Sequence, residues 1–491
     1  MYRIVLYILL AFLLVAGIES AFGLLAFSPT HLAWSVALIT TTTLLFNKIF
    51  SYLFSAPSNP ESTYITALIL ALIISPPTSF LAPAFLSLVF WASAWAVVSK
   101  YIFAIRDKHI FNPAALGVAV TALVLGQSAS WWIGSWALLP FVLAGGALIT
   151  RKIKRFDLVF AFLVTATLVI FVPALLHGVG IVNGLSRAFV LMPTIFFATI
   201  MLTEPLTTPP TRTLRILYGI FVGALFFQNA NIFGIYSTPA LALLIGNLFS
   251  YIISPKTKLV LTLVDRIKIS PNVFEFVFAP NRKFSFRPGQ YLEWTLAHSG
   301  ADSRGIRRYF TIVSAPSDDT LRLGVKFYKP TSTFKRTLLS LKRGNTLVAS
   351  QLSGDFTLPR NQAQKLVFIA GGIGITPFVS MIRDLIGRGE KRDTVLFYAN
   401  RTSADVSYRT LLERAEKNGV RTVHIFSDEH RSQNNLSKID LNTICMNVPD
   451  FAERIFYISG PHGMVSGIAT LLRTLNIPAA HIKTDYFPGF V

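Results

Sequence analysis

VFIAGGIGITP, residues 367–377, decides how the second half of this 491-residue chain is read. Four apolar, strand-prone residues, Val367 to Ala370, run into Gly371, Gly372 and Gly374, and Thr376 and Pro377 then open a helix-like segment, FVSMIRDLIGRG. Backbone stripped of side chains after a strand can approach a phosphate closely, and the N-terminus of the following helix favours negative charge. Alone, such a loop reads equally as a tight strand-to-helix turn. Its surroundings decide between the two.

Downstream of Lys365 apolar runs alternate with helical patterns. KLVFIAG precedes a helix over 378–389, TVLFYANR one over 405–418, and RIFYISG one over 463–475, with RTVHIFSD between the last two. That alternation predicts a parallel α/β sheet. From Leu259 the pattern is different: LVLTLVDRIKI, NVFEFVFAP, YLEWTL, RYFTIVSA, LRLGVKFY and TLVASQL are short, alternating and separated by Pro, Gly and Asn turns, which predicts a small antiparallel barrel. The expected domains are a transmembrane domain at 1–255, a barrel at 256–362 and an α/β domain at 363–491.

A barrel followed by a doubly wound sheet resembles the ferredoxin-NADP reductase superfamily, and the motifs fall in that order. RRYFTIVSAP resembles the R-x-Y-S/T flavin signature, with Arg308, Phe310 and Thr311 in its three places. The resemblance implies that Arg308 forks onto the FAD pyrophosphate. Phe310 would pack on the isoalloxazine, and the Thr311 hydroxyl would lie near the redox-active nitrogen. KFYKPTSTFK resembles the stretch that holds the second FAD phosphate, through Ser332 and Thr333; plain helix capping has the same geometry. HIKTDYFPGF resembles the terminal aromatic segment that lies over the flavin, with Phe487 the first candidate and Tyr486 the second. GGIGITP, YANRTSADVSY and ISGPHGM resemble the three loops that meet NAD(P)H at the carboxyl ends of successive strands. There Gly371, Gly372 and Gly374 face the pyrophosphate and Thr376 the nicotinamide. Asn400 and Arg401 read the adenosine ribose, and Gly460, Pro461 and Met464 hold the approach to the flavin. Ser459 stands where many relatives carry Cys, so Thr311, Ser459 and Phe487 are the expected catalytic positions. NADH is favoured over NADPH, although Arg401 could also meet a 2′-phosphate.

The first half is of another kind. Charged residues are only 14% of the chain, mean hydropathy is +0.54, and the apolar excess lies before residue 256. Lys and Arg outnumber Asp and Glu by 7 before residue 256 and by 14 from it onward. Such charge suits an anionic leaflet or a polyanionic ligand, and without a nucleic-acid-binding motif it does not indicate nucleic acid. One cysteine, Cys445, excludes an intrachain disulfide and a Cys-ligated iron–sulfur cluster. MYRIVLYILLAFLLVAGIESAF reads as a retained anchor helix. About ten apolar segments follow one another to residue 253, several shorter than the roughly 20 residues that span a hydrocarbon core. Short, Pro-flanked segments suggest half-helices lining an enclosed cavity. With Arg3 inside, ten crossings put Arg106, Lys108, Arg151, Lys152, Lys154, Arg155, Arg212, Arg215, Lys256 and Lys258 on the same side and Arg187 opposite, so both termini are expected in the cytoplasm.

The two parts of this half echo each other: SNPESTYITALILALII (58–74) with TEPLTTPPTRTLRILYGIF (203–221), and FNPAALGVAV (111–120) with YSTPALALLIGN (236–247). KHIFNPAALG and ATIMLTEPLTTPPTRTLRILYG resemble the membrane subunits of sodium-translocating NADH:quinone reductases and of Rnf complexes. The resemblance implies a ten-helix inverted repeat carrying flavin, commonly FMN esterified to a Thr in an S/T-G-A-T motif. HGVGIVNGLSRAFVLMPT has no such motif, which leaves a non-covalent FMN or a quinone. Glu61 and Glu204, at Pro-rich turns, are expected to cap helix N-termini, and Glu19, in mid-helix, to meet an ion, a proton or a polar partner. His31, His109 and His177 sit near segment ends, not in the facing mid-membrane pairs haem needs, and are read as structural.

These readings converge on a membrane-bound flavoprotein oxidoreductase passing electrons from NAD(P)H through FAD to a quinone, a second flavin or an electron-carrier protein, with ion coupling open. No catalytic triad or metal-ligand cluster competes. The rival is a redox-regulated transporter or channel, which the same half-helices would suit.

Overall fold

A computed structural model describes residues 2–54, 60–105, 108–186, 188–189, 193–226, 231–232, 235–236, 238–254, 258–302, 305–328, 330–428 and 439–487. The chain divides into two compact units, Met1–Lys256 and Thr257–Val491.

The first unit is helical: α1 (Tyr2–Ala21), α2 (Pro29–Leu53), α3 (Pro60–Ile73), α4 (Pro83–Ile102), the hairpin β1 (Ala104–Ile105) and β2 (Lys108–His109), α5 (Pro113–Leu125), α6 (Leu139–Ile153), α7 (Phe156–Leu176), α8 (Ile181–Ser186), α9 (Thr194–Phe196) continued by a π turn over Phe197–Met201, α10 (Arg212–Leu225), the hairpin β3 (Asn231–Ile232) and β4 (Ile235–Tyr236), and α11 (Pro239–Ile253). Among the described residues four of these helices, α1, α2, α4 and α7, are long and apolar enough to cross a membrane. Within the apolar stretch 131–150 helix begins only at Leu139, and among the described residues of 186–202 only Thr194–Met201 is a continuous helical run. Along α7, Phe160, Val164, Leu168, Val172 and Leu176 form an exposed apolar stripe at i, i+4 spacing, as do Leu10, Leu14 and Ile18 on α1. Arg106, Arg187 and Lys256, used in the charge argument, lie outside the described residues, as does the side chain of Lys108.

The order of elements recurs. Two helices, a shorter helix, a Pro-rich turn, a helix, a two-residue-per-strand hairpin and a Pro-opened helix occur once as α1 to α5 and again from α6 to α11, with α8 inserted. The last helices start alike: Asn112 Oδ1 accepts from the Ala115 N–H ahead of Pro113, and Thr238 Oγ1 from the Leu241 N–H ahead of Pro239. FNPAALGVAV and YSTPALALLIGN thus hold the same place, each after a hairpin. The other pairing shifts, because 58–74 is α3 itself, whereas 203–221 is a turn followed by α10. Glu61 sits in the first turn of α3, 3.1 Å from Arg3. Glu204 lies in the turn ahead of α10, whose N-cap position is held by Thr211. Its carboxylate lies 3.2 Å from His109 Nε2 and accepts from Asn112 Nδ2 at 3.0 Å. Asn247 Oδ1 takes the Asn112 N–H, and Asn247 Nδ2 donates to the fully buried Tyr218 hydroxyl, so this chain of polar groups joins the two repeats.

In the second unit the barrel strands are β5 (Leu259–Ser270), β6 (Val273–Pro280), β7 (Tyr291–Thr295), β8 (Arg307–Thr311), β9 (Leu321–Lys326) and β10 (Thr346–Ser353), in the antiparallel order β8-β7-β10-β5-β6-β9. The Val313 N–H donates to the Arg322 carbonyl at 2.9 Å, drawing the two edges together. Inward residues of each strand, among them Phe276, Phe278, Leu292, Trp294 and Leu323, fill the interior. The helix α12 (Thr333–Ser340) closes it through Phe334 and Leu338. Five parallel strands follow, β11 (Leu366–Gly371), β12 (Thr394–Asn400), β13 (Val420–Phe426), β14 (Ile455–Pro461) and β15 (Ile482–Phe487), ordered β13-β12-β11-β14-β15. Between them run α13 (Thr376–Arg388), α14 (Arg409–Ala415), α15 (Leu441–Asn447) and α16 (His462–Thr474). β11 is central and buried along its whole length, hence its unbroken apolar run.

Candidate cofactor site

The glycine loop joins β11 to α13 through a single 3₁₀ turn, Gly372–Ile375. Its glycines answer first to the neighbouring strand. A Cβ on Gly374 would lie 2.4 Å from the Ser459 carbonyl oxygen, and one on Gly371 would lie 2.6 Å from Met464 Sδ. Gly372 differs: nothing lies within 4 Å, and its φ of +52° is what calls for glycine. Because β11 and β14 pair with Ala370 opposite Ser459, the loop, Ser459, Gly460, Pro461 and Met464 gather at one carboxyl edge. Thr376 is buried there, its hydroxyl donating to the Ile373 carbonyl. Asn400 ends β12 on the same edge, its buried amide lacking a hydrogen bond among the described residues, and Arg401 follows it in an exposed position. Nearby Tyr398 is pushed up to about 12 by burial.

The terminal aromatic segment Ile482–Phe487 forms a fifth strand, β15, with Tyr486 opposite Gly460 and Phe487 opposite Pro461. The side chains of Tyr486 and Phe487 lie outside the described residues.

On the barrel, β8 alternates, so Arg308 and Phe310 share one face. The Phe310 ring is half-buried, 6.0 Å from that of Phe334, and Arg308 lies over Phe334 at 5.2 Å. Thr311 is buried and its hydroxyl has no hydrogen-bond partner among the described residues; the same holds for the wholly buried Ser459 hydroxyl. Ser332 caps α12 by accepting from the Lys335 N–H. Asp302 is the residue sequence reasoning missed. Its carboxylate accepts from Arg308 at 3.3 Å and from the Thr333 N–H at 3.2 Å, while the Thr333 hydroxyl accepts from the Asp302 N–H. A guanidinium and a helix-opening N–H therefore already converge on one anionic group, the donor set a flavin pyrophosphate requires. The orphaned Thr311 and Ser459 hydroxyls fit the polar edges of a flavin and a nicotinamide in the same way.

Barrel and sheet meet directly. Ser380 Oγ donates to the Ser314 carbonyl at 2.7 Å, and Arg383 donates to the Val313 carbonyl at 3.2 Å. A Cβ on Gly324 of β9 would meet the Tyr408 hydroxyl at 2.6 Å and the Thr376 methyl at 3.0 Å. Glu275 on β6, 1% exposed, is clamped between Arg322 and Arg383 at 2.8 and 3.0 Å. The strand carrying Thr311 thus runs straight into the helix opened by Thr376, and no single motif foretold these interlobe contacts. Lys326 reaches Asp405 at 3.7 Å beside Tyr328, whose hydroxyl is raised by burial against the pull of Arg401.

Residues 368–470 match the model of the oxidoreductase NAD-binding domain. A flavohemoprotein of Deinococcus radiodurans is 27% identical over 212 residues, 41% of this chain and 52% of that protein. An NADPH oxidoreductase of Mycobacterium tuberculosis is 30% identical over 189 residues, 37% of this chain and 47% of that one. A solved cytochrome P450 reductase from Amycolatopsis is 23% identical over 48% of this chain and 70% of its own, with a TM-score of 0.43. The chain spans about half the length of the curated relatives it matches. The second unit therefore joins an oxidoreductase NAD-binding domain to an antiparallel barrel.

Proposed function

We propose that this protein is a membrane-bound flavoprotein oxidoreductase carrying electrons from NAD(P)H, through FAD on the barrel, to an acceptor in the bilayer. The observation that carries the reading is one polypeptide joining an oxidoreductase NAD-binding domain to a helical unit whose long helices expose apolar stripes. Bound FAD would supply the conversion between a two-electron hydride donor and acceptors taking electrons singly or in pairs. The chain's own groups position it. Arg308 and the start of α12 hold the pyrophosphate, Phe310 offers a ring face, and Thr311 presents a hydroxyl to the ring system. Gly371, Gly372, Gly374 and Thr376 admit the nicotinamide nucleotide, Asn400 and Arg401 take its ribose end, and Ser459 with Gly460, Pro461, Met464 and Phe487 lines the approach between the two. The acceptor is a quinone, a non-covalent FMN or a carrier protein, with ion movement as an optional consequence, NADH as the favoured donor and both termini in the cytoplasm.

Protein purified in lipid, given NADH and a lipid-soluble quinone, is expected to oxidise the first and reduce the second; one flavin equivalent with no lipid-phase reduction would overturn transmembrane electron transfer. The recurrence of helix, Pro-rich turn and hairpin also favours a second reading, a transporter whose redox module regulates it. Solute flux that persists without nucleotide would select that reading.

A further inference from the structure

On the second unit, away from the glycine loop, a cavity of about 430 Å³ is lined by Phe286, Arg287, Thr357, Pro359, Arg360, Asp384, Arg388, Glu390 and Arg392 among others. It opens at the far end of α13. That helix has 13 residues, so the cavity lies about 20 Å from the loop at its N-terminus. Four guanidiniums face two carboxylates here. Arg392, 4% exposed, is spent on Glu390 at 2.7 Å and the Pro359 carbonyl, and Arg388 on Asp384 and Glu390. Arg287 and Arg360, both exposed, have no carboxylate partner among the described residues; the Arg287 guanidinium donates there only to the Leu358 carbonyl, at 3.2 Å. The excess positive charge therefore stands at the rim, on two different elements, with the half-exposed Arg388 as a third.

We propose that this cavity is a second anion site, separate from the nucleotide cleft, that takes a phosphate-bearing small molecule. Guanidiniums approaching from the barrel (Arg287), the linker (Arg360) and the sheet lobe (Arg388) match a group with three or more acceptor oxygens better than a carboxylate, which offers two. The negative end of α13 opposes an anion, but it amounts to only about half a charge against an excess of two. Residues 354–365 are the covalent link from barrel to sheet, and Arg287 and Arg392 already hold its carbonyls at Leu358 and Pro359, one from each side. An anion bridging Arg287, Arg360 and Arg388 would fasten the two lobes at that link. The proposal stands independently of the redox reading.

Titration of inorganic pyrophosphate into the full chain, with FAD and NAD⁺ saturating so that the nucleotide cleft is filled, tests it. One-to-one binding is expected, weakened about tenfold by R360S and abolished in the R287S/R360S double variant, as loss of one or two charge-assisted contacts requires. K342S, on an exposed turn elsewhere, is expected to bind as the parent does. No binding, or equal weakening by K342S, would overturn the site and leave only diffuse attraction to a basic surface. A parallel titration with short-chain phosphatidic acid identifies the source of the phosphate: R360-dependent binding tighter than that of pyrophosphate assigns a lipid headgroup, and weaker binding a soluble metabolite.

Discussion

At the scale of single residues, Arg308 and Asp302 set the balance of the proposed flavin site. Arg308 was legible from its place in RRYFT; Asp302 was not, because the contact crosses from a loop to a helix start 31 residues away and no spacing rule covers it. With the Asp302 carboxylate and a flavin pyrophosphate both seeking the same donors, the two substitutions are expected to act in opposite directions. R308A should weaken FAD binding by about 1.5–3 kcal/mol, the range for a hydrogen bond to a charged group, whereas D302N should tighten it. Flavin fluorescence titration reads both, and weakening by D302N would show that the carboxylate supports the site instead of competing for it. Ser459 offers a cleaner separation. Its hydroxyl is fully buried and lacks a partner among the described residues. S459A should therefore leave thermal stability unchanged or raise it by up to about 1 kcal/mol, while the single-turnover rate of flavin reduction by NADH falls. A loss of stability with the rate unchanged would make the hydroxyl structural.

Among the elements, the strand-to-helix turns were the easiest to read and the hardest to assign a cause. Periodicity and glycine placement located β11, β12, β14 and their helices, since each strand is bounded by residues that end it. β15 was missed as a strand because HIKTDYFPGF is short and polar, and only its neighbour β14 gives it a ladder. The glycines themselves divide. G374A would drive a methyl into the Ser459 carbonyl and should cost more than about 2 kcal/mol with loss of nucleotide affinity, whereas G372A has space and should cost about 1 kcal/mol for its positive φ. Equal effects in thermal unfolding would mean that conformation, not interstrand crowding, governs the loop. At the opposite edge of the sheet Asp450 accepts from Arg454 at 2.7 Å and from Lys365 at 2.8 Å, and these bonds hold its carboxyl well below the usual carboxylate range. A lowered folded-state value means that the stabilisation is complete above the unfolded carboxylate value near 4 and fades as pH falls below it. The stability difference between the parent and D450N, about 1 kcal/mol for a partly exposed pair, should be constant from pH 6 to 8 and close between about pH 4 and 2.

For the whole molecule, the division at residues 256 and 257 separates two kinds of legibility. The second unit announced itself because its motifs are tied to backbone events, each at a strand end. The first unit was readable as apolar but not as a count of crossings: α3, α5 and α11 have 13 to 15 residues, too few to span at full length, so hydropathy alone cannot tell a half-helix from a buried core helix. What identifies its plan is the recurring Pro-rich turn, hairpin and capped helix, together with the polar chain from Glu204 through Asn112 and Asn247 to Tyr218 that fixes one repeat against the other. A division of labour follows. Residues 257–491 expressed alone should still bind flavin and oxidise NADH with a soluble acceptor such as ferricyanide, because the FAD and nucleotide candidates all lie beyond residue 300. The full chain in liposomes should in addition reduce a lipid-soluble quinone, and E204Q should diminish that second activity while sparing the ferricyanide rate, since it weakens the His109 and Asn112 contacts, which lie within the first unit. Ferricyanide reduction lost with E204Q would instead mean that the helical unit is needed for the flavin module to function, and quinone reduction by residues 257–491 alone would remove the helical unit from the electron path.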